Sequence, residues 1–204
     1  MQNYYEATAT RTPYPALADR IDADVCIVGG GLAGLSTALG LVERGVRDVA
    51  VLDAQTVGFG ASGRNGGFVF GGYSLDNADL LRTLGPESAR ALYRLTIDAV
   101  DLIRARAARY GIDCELVDGG AILANWFDDP ARLDAPRKLM KEAFGVEWEP
   151  LDANELRTRL KTDRYHGGLL ERNAFHFHPL KYVLGVAAAA ARGGARIHEH
   201  SAAR

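Results

Sequence analysis

The chain has 204 residues, 48% of them hydrophobic and 25% charged, which is the balance of a soluble globular protein with room for one sizeable domain or two small ones. A net charge of −2 leaves no basic footprint for nucleic acid or an anionic membrane, and no run approaches the roughly 18 apolar residues of a membrane span. Two cysteines, Cys26 and Cys114, make no disulfide framework and read as small buried hydrophobes.

Residues 1–22 are polar, aromatic and proline-bearing, with Tyr4, Tyr5, Pro13, Tyr14 and Pro15. They lack the apolar core of a signal peptide, so the expected compartment is the cytoplasm. An extended, ordered, non-catalytic arm is the expectation.

From Ala23 to Asp53 the chain reads strand, glycine turn, helix, strand, acid. Residues 23–28 are a short apolar run, as expected of a parallel strand buried on both faces. Gly29, Gly31 and Gly34 fill the three positions of G-x-G-x-x-G: a tight turn, a close approach of backbone to a pyrophosphate, and helix packing on strand. Gly30, Leu32 and Ala33 complete the turn. A helix from Leu32, with Leu35, Leu39 and Val42 on one side and Gly45 as its stop, aims its N-terminus at a diphosphate. The strand 48–52 ends at Asp53, about 20 residues beyond the last glycine, where a ribose hydroxyl needs an acceptor. An acid there favours a dinucleotide with a free 2′-hydroxyl, FAD or NAD.

Residues 57–68 hold five glycines, with Ser62, Arg64 and Asn65 among them. Ser62 and Asn65 offer hydrogen bonds to phosphate or sugar oxygens, Arg64 offsets diphosphate charge, and the loop reads as a second wall of the same site. A short helix 80–84 and a longer one from Pro86 to Gly111 follow. Leu92, Leu95, Ala99, Leu102 and Ile103 form the expected core stripe, and Arg90, Arg94, Arg104 and Arg106 the solvated face. Residues 112–117 alternate, Gly119 and Gly120 turn, and 121–124 return, which predicts a hairpin. Pro130 and Pro136 punctuate a helical stretch ending near Gly145, and 146–149 is a candidate strand. Asp152 with Glu155 is a capping box for a helix through Leu160, and 166–170 is strand-like. Pro179 starts an alanine-rich helix through Arg192, and 195–200 is a further strand returning to the parallel sheet. His176 and His178 share a strand face, but no Cys or carboxylate completes a ligand set, so no metal is assigned.

The pairing of residues 24–34 with 60–67 resembles the D-amino-acid-oxidase-like FAD oxidoreductases, and within them the γ-glutamylputrescine oxidase and glycine oxidase branch. A Tyr-rich arm before the first strand and a segment like 176–182 add to the resemblance. It implies an α/β fold: a Rossmann-like FAD-binding parallel sheet with an inserted antiparallel α+β substrate domain, truncated, because relatives run to about twice this length. The implied division is an arm (1–22), FAD-binding segments (23–75 and 176–204) and part of a substrate domain (76–175). The resemblance places the ADP half at Gly29, Gly30, Gly31, Leu32, Ala33, Gly34, Asp53 and Ala54, and runs Ala61, Ser62, Arg64, Asn65, Gly66 and Gly67 beside the pyrophosphate and ribityl chain. Ala203 lies beside the adenine. The loop holds no His or Cys, so the FAD is expected to be non-covalent. The implied reaction oxidises the CH–NH bond of a small-molecule amine or amino acid to an imine, with oxygen as acceptor giving hydrogen peroxide. No catalytic residue is assigned. An NAD-dependent Rossmann dehydrogenase and a truncated, non-catalytic chain are the alternatives.

Overall fold

The computed structural model describes residues 3–203; Met1, Gln2 and Arg204, which the sequence division includes in the arm and the last segment, lie outside them. The contacts separate two compact units. One comprises Met1–Gly67, Arg104–Leu116 and Phe177–Arg204, the other Phe68–Ile103 and Val117–His176. Residues 104–116, inside the stretch that the sequence assigns to the substrate domain, thus belong to the unit that holds the glycine turn.

The first unit is built on a three-stranded parallel sheet in the order β1 (Val25–Val28), β2 (Val49–Leu52), β8 (Arg196–His198). Val25 lies against Val49, and Ala50 against Arg196. Between β1 and β2 runs α2 (Leu32–Glu43), which packs on α6 (Pro179–Arg192). The small residues of α6 are what permit that approach: Ala187, Ala189 and Ala190 are buried, and a Cβ on Gly193 would lie 2.2 Å from Val42 Cγ1. Leu35, Leu39, Val49, Val51, Val183 and Val186 fill the core. Ahead of β1, Asn3 caps a five-residue helix, α1 (Tyr4–Thr8), by accepting from the Glu6 N–H at 2.9 Å; the arm is therefore helical at its start rather than extended throughout.

Two further expectations fail in this unit. β1 is half-buried on one face, through Val25 and Ile27, and open on the other, where Cys26 is exposed and Val28 is 69% exposed. Residues 112–117 form no strand. Glu115 adopts φ 54°, which breaks the extended run, and Cys114 points into the core.

The second unit holds an antiparallel sheet in the order β4 (Ala121–Ala124), β6 (Gly168–Glu171), β5 (Glu149–Leu151), together with a short antiparallel pair, β3 (Phe68–Val69) with β7 (Phe175–His176). The predicted hairpin is replaced by β4 on β6, with Ala121 against Glu171 and Ala124 against Gly168, while Val117 bridges to His176. Behind the sheet, α5 (Ala153–Leu160) starts at the expected capping box: Asp152 accepts from Asn154 and Glu155 N–H, and Glu155 accepts from Asp152 N–H. α4 (Ala131–Leu139) runs into a π turn ending at Gly145, where Val146 N–H still donates to Met140 O. That bond keeps Val146 in the helix cap and moves the strand from 146–149 to β5.

α3 (Asn77–Tyr110) is interrupted at Gly85, φ 75°, immediately before Pro86. Its buried side chains are Leu80, Ala89, Tyr93, Val100, Arg106 and Ala107. The expected stripe is displaced: Leu95 and Leu102 are exposed, as is Ala99, and Arg106, placed with the solvated face, is only 6% exposed. The reason is a partner remote in sequence. Arg106 donates to Glu43 Oε2 at 2.9 Å and Tyr110 donates to Glu43 Oε1 at 2.8 Å, which fixes the helix's rotation at that end.

Candidate functional site

Most of the candidate residues meet in the first unit, at the C-terminal ends of β1 and β2. Gly29, at φ 106°, turns the chain out of β1 while its N–H still donates to Leu52 O at 2.8 Å. A Cβ on Gly34 would sit 2.0 Å from Gly29 O, so α2 can lie this close to the turn only with glycine at that position. The first turn of α2 leaves the amides of Ala33 and Gly34 without intrahelical acceptors, at the positive end of the helix dipole.

Asp53 is set by three bonds. Its Oδ2 accepts from Gly30 N–H at 2.6 Å, its Oδ1 from Gln55 N–H at 2.7 Å, and its own N–H donates to His198 O at 2.9 Å. Each carboxylate oxygen keeps a lone pair for a hydroxyl. Ala54, next along, is exposed. Ser201 N–H donates to Asp53 O at 2.7 Å, which brings the exposed Ala203, two residues on, toward the same end of the sheet.

The glycine loop closes over this turn. Gly58 N–H donates to Gly30 O at 2.9 Å, and Ala61–Gly63 forms a short 3-10 turn. Ser62 Oγ accepts from Leu32 N–H at 2.9 Å, which leaves its own proton to donate. Asn65 is spent inside the loop: its Nδ2 donates to Ala61 O and Ser62 O, and its Oδ1 accepts from Gly67 N–H. The Arg64 guanidinium lies over the Phe59 ring, 4.4 Å from its centre. Gly66 is exposed, whereas Gly67 is buried against Phe177, whose O a Cβ there would meet at 2.1 Å.

Three residues not singled out for this role hold the frame. Glu199, 3% exposed, accepts from Val57 N–H at 2.7 Å and Tyr14 N–H at 3.0 Å, tying the loop and the arm to the end of β8. Arg11 donates to Val57 O at 2.6 Å and pairs with Glu6 at 2.6 Å; the bond from Arg11 holds the Glu6 carboxyl below the usual carboxylate range. His178 caps α6: Nδ1 accepts from Lys181 N–H at 3.2 Å, so the ring proton is on Nε2 and donates to Thr8 Oγ1 at 2.9 Å. Burial, and then the neighbouring Lys181 charge, push its pKa down. The His176 side chain is exposed, on β7 of the other unit. The one available signal for Glu199 was an acid inside the predicted strand 195–200; the observed β8 ends one residue before it.

Comparison with known proteins agrees with this geometry. Residues 24–204 match the family described as FAD dependent oxidoreductase, DAO. The chain is 40% identical over 201 residues to the γ-glutamylputrescine oxidoreductase of Escherichia coli K12, covering 98% of this chain and 47% of that protein. It is 36% identical over 202 residues to a probable oxidoreductase, OrdL, of Haemophilus influenzae, covering 97% of this chain and 46% of that one. Among solved structures, the glycine oxidase of Geobacillus kaustophilus superposes with a TM-score of 0.67 at 26% identity, over 87% of this chain and 46% of that chain. The chain thus spans about half the length of the relatives it matches. No helix among the described residues is long and apolar enough to cross a membrane. Of the two dinucleotides that Asp53 leaves open, the family is that of FAD, and the chain belongs to the FAD dependent oxidoreductases of the DAO family.

Proposed function

We propose that this chain forms the FAD-holding part of an amine or amino-acid oxidoreductase. The reading is carried by the carboxylate of Asp53, which the amides of Gly30 and Gln55 aim beside the glycine turn. In it, Asp53 takes a ribose hydroxyl with Ala54 beside it, and Ala203 borders the adenine. The amides of Ala33 and Gly34 receive the diphosphate at the start of α2, and Gly29, Gly30, Gly31 and Leu32 let it approach. The Ser62 hydroxyl donates to a phosphate oxygen while its lone pair holds Leu32 N–H, and Arg64 and Gly66 line the way along the loop. Asn65 and Gly67 contribute by holding the loop's shape, since their polar groups are engaged within it. The site thus fits FAD through backbone amides, one acid and the Ser62 hydroxyl, and the 57–68 loop contains no His or Cys that would tether the flavin.

When bound, FAD supplies the two-electron oxidation of a CH–NH bond to an imine, with oxygen as acceptor and hydrogen peroxide as product. The relatives favour a carbon bearing nitrogen as the substrate centre: one is a γ-glutamylputrescine oxidoreductase, another a glycine oxidase. The unit Met1–Gly67, Arg104–Leu116 and Phe177–Arg204 is the cofactor domain in this reading, and the other is part of the substrate domain.

The test is uptake of flavin. After incubation with FAD and desalting, the purified chain retains near-stoichiometric flavin absorbance, which excess NAD does not displace. Uptake of NAD in preference to FAD would overturn the reading, as would a folded chain that binds neither.

A further inference from the structure

The second unit contains a cavity of about 490 Å³ that the cofactor site does not use. That size falls within the roughly 300–1,000 Å³ of small-molecule pockets. Its floor is one face of the antiparallel sheet, because the pairs Ala121–Glu171 and Leu123–Leu169 put those four side chains on the same side. Leu75 and the Trp148 ring add apolar wall. Leu170, on the opposite face, packs instead with Leu151 and Leu156.

The charge of this cavity is one-sided. Its lining includes Asp76 and Glu171 but, among the described residues, no Lys, Arg or His. Asp76 sits at the exposed rim, where Oδ1 accepts from Ala78 N–H at 2.8 Å. Glu171 is half-buried beside Leu169, with Gly71 N–H at 3.4 Å from its Oε1. Burial pushes the Glu171 carboxyl above its ordinary pKa, against the pull of that one amide. A carboxylate taken partly out of water is stabilised by a cation that comes to it, and apolar walls suit a cation carried on a methylene chain. A ligand with its own carboxylate would meet two like charges here.

We propose that this cavity binds an alkylammonium group, its nitrogen at Glu171 and its chain along Leu123 and Leu169. The proposal deepens the amine reading above, on which its biological sense rests, by favouring alkyl amines over amino acids at this position. It predicts binding that needs no flavin.

The experiment is calorimetric titration of the 204-residue chain, without FAD, with 1,4-diaminobutane, n-butylamine, n-butanol and glycine. The two amines bind, whereas n-butanol, which lacks the positive charge, and glycine, whose carboxylate meets Asp76 and Glu171, bind at least about tenfold more weakly. Glu171→Gln keeps an acceptor for Gly71 N–H and the thermal midpoint, and weakens amine binding by about tenfold or more. Leu123→Lys, at a position 51% exposed, puts a cation on the floor and abolishes amine binding without touching Glu171. Equal affinity of n-butanol and n-butylamine, unchanged affinity in Glu171→Gln, or no amine binding to the folded chain would each overturn the proposal. The last result would make the cavity a surface for packing protein. None of these outcomes bears on FAD uptake, so this proposal and the cofactor reading fail separately.

Discussion

A methyl group at Gly34 would stand 2.0 Å from Gly29 O, and the obstacle is backbone, which cannot swing aside as a side chain can. Gly34→Ala should therefore push α2 off the turn, costing roughly 1–3 kcal/mol in thermal or denaturant unfolding and abolishing flavin retention. Ser62→Ala is milder in fold and more telling in binding. It leaves Leu32 N–H without its acceptor, a loss of about 1 kcal/mol, and removes the hydroxyl proton assigned to a phosphate, so FAD affinity falls more than stability does. The cysteines give a check that needs no cofactor. Cys26 is exposed, whereas Cys114 is 1% exposed and burial raises its thiol pKa, so a thiol reagent at neutral pH should modify one thiol quickly and the other only on unfolding. At this scale the glycine turn was legible because glycine is demanded by backbone geometry, and geometry of that kind is written into spacing. Glu199 was not, because its two donors, Val57 and Tyr14, are brought to it only by the folded chain.

Among the elements, the arm is held by a switchable contact. The buried His178 ring joins Lys181 N–H to Thr8, with Tyr5 4.9 Å and Tyr4 6.2 Å from it between ring centres, and with Lys181 and Glu115 as the charged groups that act on it. Its pKa in the folded chain lies below the ordinary 6.5, so the folded state binds fewer protons than the unfolded one in that window. Stability from this contact is complete above 6.5 and is lost as pH falls through the lowered value, because a protonated Nδ1 cannot accept from Lys181 N–H. Glu6 adds a later step of the same sign, since its lowered carboxyl loses its advantage only below its ordinary 4.5. Limited proteolysis across this range should cut the arm first at acid pH, and His178→Asn, which retains a capping acceptor, should remove the first step. The helices at Asp152 and Pro179 were readable because their start signals are local, a reciprocal cap in one case and an N-terminal proline in the other. The hairpin and the α3 stripe were not. Alternation states that a segment has two faces but not which strand will pair with it, and β4 found β6 some 45 residues on rather than its neighbour. The rotation of α3 near Arg106 is likewise decided by Glu43, on another helix.

Over the whole molecule, the chain passes between its two units four times, after Gly67, Ile103, Leu116 and His176. The sequence pointed to a parallel sheet left and rejoined, because 195–200 reads as a strand that follows the alanine-rich helix 179–192. It did not show that 104–116 returns in between, since that stretch reads as a helix end and the first strand of a hairpin, and it joins the first unit through contacts remote in sequence, such as His178 N–H to Cys114 O at 2.7 Å. Neither unit can be expressed as one uninterrupted stretch. A domain-swapped or excised version of either should fail to give a cooperative transition, which differential scanning calorimetry would register as a lost or broadened peak.

The pairing of β2 with β8 also sets an order of events. Ala50 waits for Arg196, and Asp53 N–H for His198 O, so the edge of β2 and the orientation of Asp53 stay incomplete until residues 196–198 have been made, some 145 residues after β2. On the ribosome, the glycine turn can form early, but the acid beside it is fixed only when β8 leaves the exit tunnel. A nascent chain stalled before Ala195 carries an open strand edge, the kind of surface that chaperones exist to shield.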